Sequence, residues 1–193
     1  IVCVAGIDGN GQTELVQAIT GLTPAKTGHL FLNDEDITHA SIRQRNTHGM
    51  SHIPEDRHKH GLVLDYTLEE NLVLQRYFEP RFENHGFIRF DAVRTYADEL
   101  IENYDIRSGQ GAVTTVRSMS GGNQQKAIVA RELDREHDLL IAVQPTRGLD
   151  VGAIEFVWAK LLDIAKSGVA ILLVSHELNE VMQLSDRIKV IYN

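Results

Sequence analysis

A single cysteine, Cys3, stands among the 193 residues. The chain can therefore hold no internal disulfide. Because Cys3 sits in the apolar run Ile1-Val2-Cys3-Val4-Ala5, it reads as a buried, inert thiol of a reducing compartment. Long hydrophobic runs are missing too: none approaches the ~20 residues of a membrane-spanning helix, and no signal peptide is visible. Any membrane association is thus expected to pass through a protein partner. A basic excess is absent as well. With 19 Lys and Arg against 27 Asp and Glu the net charge is −8, which argues against nucleic acid as the main partner, since phosphate backbones are gripped by basic surfaces. No internal repeat or low-complexity tract interrupts the chain. His48, His52, His58 and His60 lie close in sequence but match no zinc-binding spacing. What remains is ordinary for a folded protein: 42% hydrophobic and 24% charged residues, in a chain long enough for one sizeable core with a sub-domain inserted.

The order of elements follows from periodicity. Residues 1–5 read as a buried strand, followed by a glycine-rich loop and a helix over about 13–19 that Gly21 and Pro24 end. Residues 28–37 read as a hairpin with Asn33-Asp34 near its turn, Ser41 as the cap of a short helix, and residues 50–54 as a strand. From about 57 to 117 strand signal is scarce. Residues 67–72 and 92–101 are helical in pattern, with Thr67 and Glu70 spaced as a capping box. A helix from Ser120 to about 133, a strand over 139–143, a helix over 153–166 and a strand over 169–175 form a βαβ pattern. The fold class this predicts is α/β, a mainly parallel sheet with an inserted helical sub-domain. The expected divisions are 1–56 and 124–193 for the two parts of the α/β core and 57–123 for the sub-domain. The chain opens in mid-strand and closes just after the apolar run 188–192, so it is expected to be an excerpt of a longer polypeptide, lacking the first strands of a full domain.

Gly6-Ile7-Asp8-Gly9-Asn10-Gly11-Gln12-Thr13 has the spacing of a P-loop, G-x-x-x-x-G-K-[ST], except that Gln12 stands where the lysine belongs. A strand, a glycine-rich turn and a helix start aim several backbone N–H groups at one point, and the helix terminus adds partial positive charge. Gly6, Gly9 and Gly11 let an anion approach closely, so the backbone half of the motif is intact. Gln12 supplies a neutral hydrogen bond worth ~0.5–1.5 kcal/mol where a charged one is worth ~1.5–3. The difference weakens phosphate binding by roughly ten-fold. Asp8 and Glu14 add negative charge beside the loop, although Glu14 also suits the first turn of any helix. Thr13 keeps a hydroxyl able to ligate Mg²⁺.

A second anion-facing turn is Ser118-Met119-Ser120-Gly121-Gly122-Asn123-Gln124-Gln125-Lys126, where a serine and two glycines open a helix. By itself this is also an ordinary serine N-cap. Its company decides. The segment resembles the L-S-G-G-Q signature of ABC ATPases, with Met119 for Leu and Asn123 for the final Gln. Pro145-Thr146-Arg147-Gly148-Leu149-Asp150 resembles that family's Pro-Thr and D-loop, and Val174-Ser175-His176-Glu177 its switch-histidine segment. Four motifs in this order and spacing, over nearly the whole chain, identify it as a member of the ABC nucleotide-binding domains. The implied fold is the P-loop NTPase core of ABC ATPases. Ile53-Pro54-Glu55-Asp56-Arg57, with Glu55 for the usual Q-loop glutamine, Ser-Gly-Gly-Asn-Gln-Gln-Lys and Pro-Thr-Arg-Gly-Leu-Asp-Val-Gly are phrased as in importers of ribose, galactosides and nucleosides. In those proteins two such domains are fused and the second is degenerate. The chain resembles that second half, and Gln12 with the missing Asp-Glu pair leans it toward nucleoside uptake.

The resemblance implies ATP and Mg²⁺ as cofactors, with Gly6, Asp8, Gly9, Asn10, Gly11, Gln12, Thr13 and Glu14 as the binding loop. It implies impaired chemistry as well. The strand Leu139-Leu140-Ile141-Ala142-Val143-Gln144 should end in Asp-Glu; Val143 replaces the magnesium-supporting aspartate and Gln144 the catalytic glutamate. Gln144 can orient a water but cannot take its proton, and losing a general base costs ~10²–10⁴ in rate. His176 can still contact a γ-phosphate, and Glu55 or Asp56 could lend a carboxylate to Mg²⁺, although a loop carboxylate is more often simply solvated. In ABC dimers each ATP lies between one domain's P-loop and the other's signature. The resemblance therefore assigns Ser120, Gly121 and Gly122 to a partner's site in trans, together with Asp150 of the D-loop. The implied partners are an intact ABC half, fused upstream, and membrane-spanning permease subunits that hold the domain at the cytoplasmic face. Residues 55–66 and the helices up to about 100 are the expected docking face. Two alternatives stand beside this: a non-hydrolytic nucleotide-sensing module, and a non-transport ABC ATPase, which would call for a coiled-coil insertion or a basic surface.

Overall fold

The computed structural model describes residues 1–7 and 9–192. The chain folds as two units, one of Ile1–Pro54, Glu136–Pro145 and Trp158–Asn193, the other of Glu55–Arg135 and Thr146–Val157. The first begins with β1 (Val2–Ala5), the glycine loop and α1 (Gln12–Thr20), which Gly21 ends at φ 81°. A tight hairpin of β2 (Phe31–Leu32) and β3 (Glu35–Asp36) follows. Its turn residues Asn33 and Asp34 take φ of 51° and 64°, the left-handed values that a two-residue turn demands and that Asn and Asp tolerate. Next come α2 (Ile42–Thr47), started by a Ser41–Gln44 capping box, and β4 (Met50–Ile53). The second unit carries α3 (Leu68–Val73), β5 (Glu83–Asn84), β6 (Phe87–Ile88), α4 (Phe90–Asn103) and α5 (Gly121–Leu133). Then follow β7 (Leu139–Val143), α6 (Val151–Lys166), β8 (Ala170–Ser175), α7 (Leu178–Leu184) and β9 (Arg187–Val190). α5 runs through the boundary at 123 that the sequence suggests.

In the first unit β4, β7, β8, β1 and β9 form one sheet in that order, every pair parallel, as the βαβ pattern predicts. Strands buried on both faces read as near-continuous apolar runs, which explains Ile1–Ala5 and Leu139–Val143. One core cluster joins Val4, Val16, Ile37, Met50, Ile141, Val143 and Val174. Cys3 is buried, and burial pushes its thiol up, as an inert cysteine requires. Arg45 is buried, and its guanidinium donates to the carbonyls of Ala18, Ile19, Thr38 and Ala40 at 2.6–3.2 Å. Two of those are the orphan carbonyls at the end of α1, where a cation also suits the helix dipole. Gly21 suits the left-handed C-cap, and a Cβ there would also crowd Arg45 Nε at 2.8 Å.

In the second unit α3, α4 and α5 pack on one another around Leu68, Leu72, Phe82, Val93, Tyr96, Leu100 and Ile128. The Thr67–Glu70 capping box forms as its spacing predicts. A buried pair, Arg131 Nε to Glu132 Oε1 at 2.9 Å, is completed by Gln75 Nε2 on the same oxygen. Three features escape the sequence reading. The β5–β6 hairpin falls in a stretch poor in strand signal, because it is only two residues a side and turns on His85 and Gly86 at positive φ. A π turn spans Arg57–Gly61, and α7 follows β8. No helix among the described residues is long and apolar enough to cross a membrane.

Candidate functional site

β1 and β7 are the parallel neighbours of β8, with Ala5 in register with Ser175 and Val143 with Val174. The segments leaving these strands, Gly6 onward, Gln144 and His176, therefore emerge at one edge of the sheet. It is the carboxyl edge, where open α/β sheets place ligands. The loop after β1 keeps its left-handed glycines, Gly9 at φ 89° and Gly11 at φ 96°. Asp8 lies outside the described residues. The N-cap of α1 is Gly11, so no cap side chain takes its first-turn amides among the described residues. Asn10 Nδ2 donates to Ile191 O at 3.4 Å.

Gln12 is only 4% exposed. Its Nε2 donates to Ile7 O at 3.3 Å and lies so close to Gly6 that a Cβ added there would be 2.1 Å away. The carboxamide thus folds back over Gly6, where a Cβ would also meet the backbone oxygen of Ile191 at 2.8 Å. Thr13 and Glu14 are exposed on the first turn of α1. Beyond β7, Val143 is 4% exposed and belongs to the apolar cluster. Gln144 is buried, at φ 47°, its N–H donating to Val174 O at 2.8 Å. A left-handed backbone costs a non-glycine residue about 1–2 kcal/mol, a strain that the residue type alone does not announce. His176 is exposed beside fully buried Ser175, whose Oγ accepts the Glu177 N–H at 3.1 Å.

The backbone of this loop fits a phosphate: left-handed glycines, a helix start and uncapped amides are what an anion nest needs. The side chains do not fit Mg²⁺. That ion is held through one or two carboxylates in a near-octahedral shell, and here the strand ends in buried valine and neutral glutamine, so among the described residues β7 offers it no carboxylate. No cluster of three or more His, Cys, Asp or Glu side chains able to hold a metal occurs among the described residues.

The second unit holds Glu55, Ser120, Gly121, Gly122 and Asp150. Ser120 is the exposed N-cap of α5; its Oγ accepts from Asn123 N at 3.4 Å and Asn123 Nδ2 at 2.9 Å, so its own O–H is left to donate outward. Asn123 Oδ1 in turn accepts the Arg107 N–H at 2.7 Å. Asp150 caps α6, accepting the Ala153 N–H at 2.9 Å, and its Oδ2 is 3.6 Å from where a Cβ on Gly122 would sit. Glu55 is ion-paired with Arg147. Asp56 accepts from His58 N and Lys59 N at 2.9 and 3.0 Å; the Lys59 amide first, then that of His58, hold its carboxyl below the usual range. Both carboxylates offered by the sequence for Mg²⁺ thus have partners inside their own unit. The neighbouring histidines are engaged separately: His48 Nε2 lies 3.0 Å from Glu35 Oε2, and His58 Nε2 2.9 Å from Gln124 Oε1. Arg57 and Arg147 are members of this face that sequence reasoning misses. Both are visible inside the motifs, but what they touch is not.

These features agree with what is found among known proteins. A family model described as ABC transporter matches residues 1–147. The chain belongs to the ABC transporter family. As an ABC ATP-binding domain it is 51% identical, over all 193 residues, to the nucleoside import ATP-binding protein NupA of Lactococcus lactis subsp. cremoris. It is 51% identical over 192 residues to the guanosine import ATP-binding protein NupO of Bacillus subtilis, and 36% over 199 residues to the ribose import ATP-binding protein RbsA of Bacillus cereus. The chain spans 38% of the length of each of these relatives. Its fold matches a dimeric ATP-binding cassette in a post-hydrolysis state with ADP and Pi at TM-score 0.80 and 20% identity, covering 99% of this chain and 80% of that one. A nucleotide-free ATP-binding cassette matches at 0.78 and 19%, covering 100% and 76%. The α/β architecture with its parallel sheet is that of ABC cassettes.

Proposed function

We propose that this ABC domain is an energy-coupling module of an ATP-driven importer of nucleosides or simple sugars, that its own nucleotide site is degenerate, and that its signature completes the ATPase site of a partner domain. The observation that carries the reading is Val143, sealed in the apolar core at the end of β7 where a magnesium-supporting carboxylate would have to stand. Gln12 folded over Gly6 and neutral Gln144 support it. Phosphoryl transfer is mostly positioning and charge neutralisation, and these positions supply neither cation nor base. The loop amides remain able to hold the phosphates of an ATP that turns over slowly or not at all. Relatives named for nucleoside and guanosine import support the solute class, and their greater length supports a fused partner half. The domain would then sit at the cytoplasmic face, bound to permease subunits. The test disables the partner half by replacing its P-loop lysine in the full-length transporter. Residual Mg²⁺-dependent ATPase should fall by ~10² or more, the scale of a lost general base. Robust remaining turnover would place a working site on this domain.

Residues 55–66 and the helices up to about 100 are read as the face that meets the permease. In the second unit Val63, Tyr66, Tyr77, Phe87 and Phe90 are exposed along this stretch. Reversing charge at exposed Lys59 (Lys59→Glu) should lower solute uptake several-fold while ATP hydrolysis persists, compared in proteoliposomes. Uptake that is untouched there, yet abolished by changes at exposed sites outside this stretch, would move the interface elsewhere.

A further inference from the structure

The segment after β4 holds the start of the signature helix and the Thr146–Asp150 turn at once, through one arginine. Asp56 caps the π turn Arg57–Gly61 with two hydrogen bonds to its carboxylate, which fixes the backbone of Arg57. The Arg57 guanidinium then lies 3.5 Å from the Cβ position of Gly121 and 3.5 Å from that of Gly148. Its Nη1 donates to Arg147 O at 3.3 Å. Gly148, at φ 68°, presents bare backbone to it. The link is doubled in reverse, since the Arg147 guanidinium pairs with Glu55, two residues before Arg57. One turn further along α5, His58 Nε2 meets Gln124 Oε1 at 2.9 Å, and Gln124 Nε2 donates to Val116 O at 3.0 Å. Residues 55–58 therefore meet α5 at two successive turns of one face, Arg57 lying beside Gly121 and His58 bonding Gln124. On the other side of the signature, Gly122 faces Ala153 Cβ at 3.5 Å and Asp150 Oδ2 at 3.6 Å.

This arrangement is not explained by the stability of α5. A cation at a helix N-terminus opposes the macrodipole and so disfavours the helix. Nor is Arg57 core packing, for it is half-buried. What it does achieve is geometric: the Ser120-Gly121 helix start and the Arg147-Gly148 turn before Asp150, two separate stretches of chain, are held to one reference.

We propose that Arg57 is a positioning residue, tying the N-terminus of α5 to the Arg147–Gly148 backbone so that the signature and Asp150 are presented to the partner domain's nucleotide as one rigid face. The inference rests on the trans reading given above. Arg57 acts through Ser120 and Gly121 rather than by touching substrate. A displacement of about 1 Å in a preorganised site can cost ~10²-fold in rate. It leaves ATP affinity alone, because the nucleotide is held mainly by the other domain.

The experiment uses the full-length transporter in proteoliposomes and measures ATPase kcat and KM for Arg57→Ala, Arg57→Lys, Ser120→Ala and Arg57→Ala/Ser120→Ala. Arg57→Ala should lower kcat by ~10–10²-fold with KM for ATP and the melting temperature unchanged. Arg57→Lys, which keeps one donor, should recover part of the rate. In the double variant the Arg57 change should add little to the Ser120 loss, since both act through one element. A normal kcat in Arg57→Ala, a loss confined to KM, or fully additive losses would overturn the positioning role. If Ser120→Ala itself leaves turnover intact, the trans reading fails first. If Ser120→Ala is severe and Arg57→Ala is silent, only the present inference falls.

Discussion

Ser120→Ala in the full-length transporter should cut ATP turnover by ~10²–10³-fold, the loss expected when one preorganised donor is removed from a closed site, whereas Gln12→Ala should change it less than about three-fold. The two residues sit on comparable motifs but in opposite condition. Ser120 accepts twice from Asn123 and keeps its O–H exposed at the start of a helix of thirteen residues. Gln12 is buried, with its amide spent on Ile7 O. Gly121→Asp sharpens the test. A side chain fits there, its Cβ 3.5 Å from the Arg57 guanidinium, which would pair with the new carboxylate. Folding should therefore survive, and activity should not, because on the proposed trans reading a negative charge would stand where a γ-phosphate approaches. Steady-state phosphate release alongside thermal melts separates these outcomes. A critical Gln12 and a dispensable signature would put the working site on this domain.

Val143→Asp should destabilise the domain by about 3–5 kcal/mol, the cost of an uncompensated buried charge. Val143 is 4% exposed and its cluster mates are Val4, Val16, Ile37, Met50, Ile141 and Val174, none of which can pair with a carboxylate. The sign of the pH dependence follows. Burial raises the folded-state pKa of the new carboxyl above its unfolded value, so its penalty grows as pH rises from about 4 toward that raised pKa. Denaturant midpoints at roughly pH 4.5 and pH 8 should therefore diverge from the parent protein most at the higher pH. Magnesium should not reverse the loss. A stably folded Val143→Asp variant that gains Mg²⁺-dependent turnover would mean that the end of β7 is open to metal and solvent, and the sealing of this position in the apolar core would no longer account for the missing chemistry.

Much of this protein is legible in its sequence. The parallel sheet follows from apolar runs separated by helical periods, because strands covered on both faces have no polar side to show. The helix starts at Ser41, Thr67 and Ser120 follow from side-chain oxygens placed to catch orphan amides, and all three form. The family follows from short motifs, since a loop that cradles phosphate needs particular residues at particular spacings. These are local rules, written into neighbouring residues. Tertiary structure decides what depends on distant ones. By residue type Gln12 is a neutral donor, but its burial and its folding onto Gly6 and Ile7 O show only in three dimensions. By residue type Gln144 is a poor base, but its left-handed backbone and its hydrogen bond to Val174, on a strand about thirty residues away in sequence, appear only in the fold. The β5–β6 hairpin is too short to carry a period. The tie between Arg57 and Arg147 spans ninety positions, and each lies in plain view inside a motif. Composition and spacing say which groups a chain owns; only its closure in space, which brings groups far apart in sequence to hydrogen-bonding distance, says which of them act together.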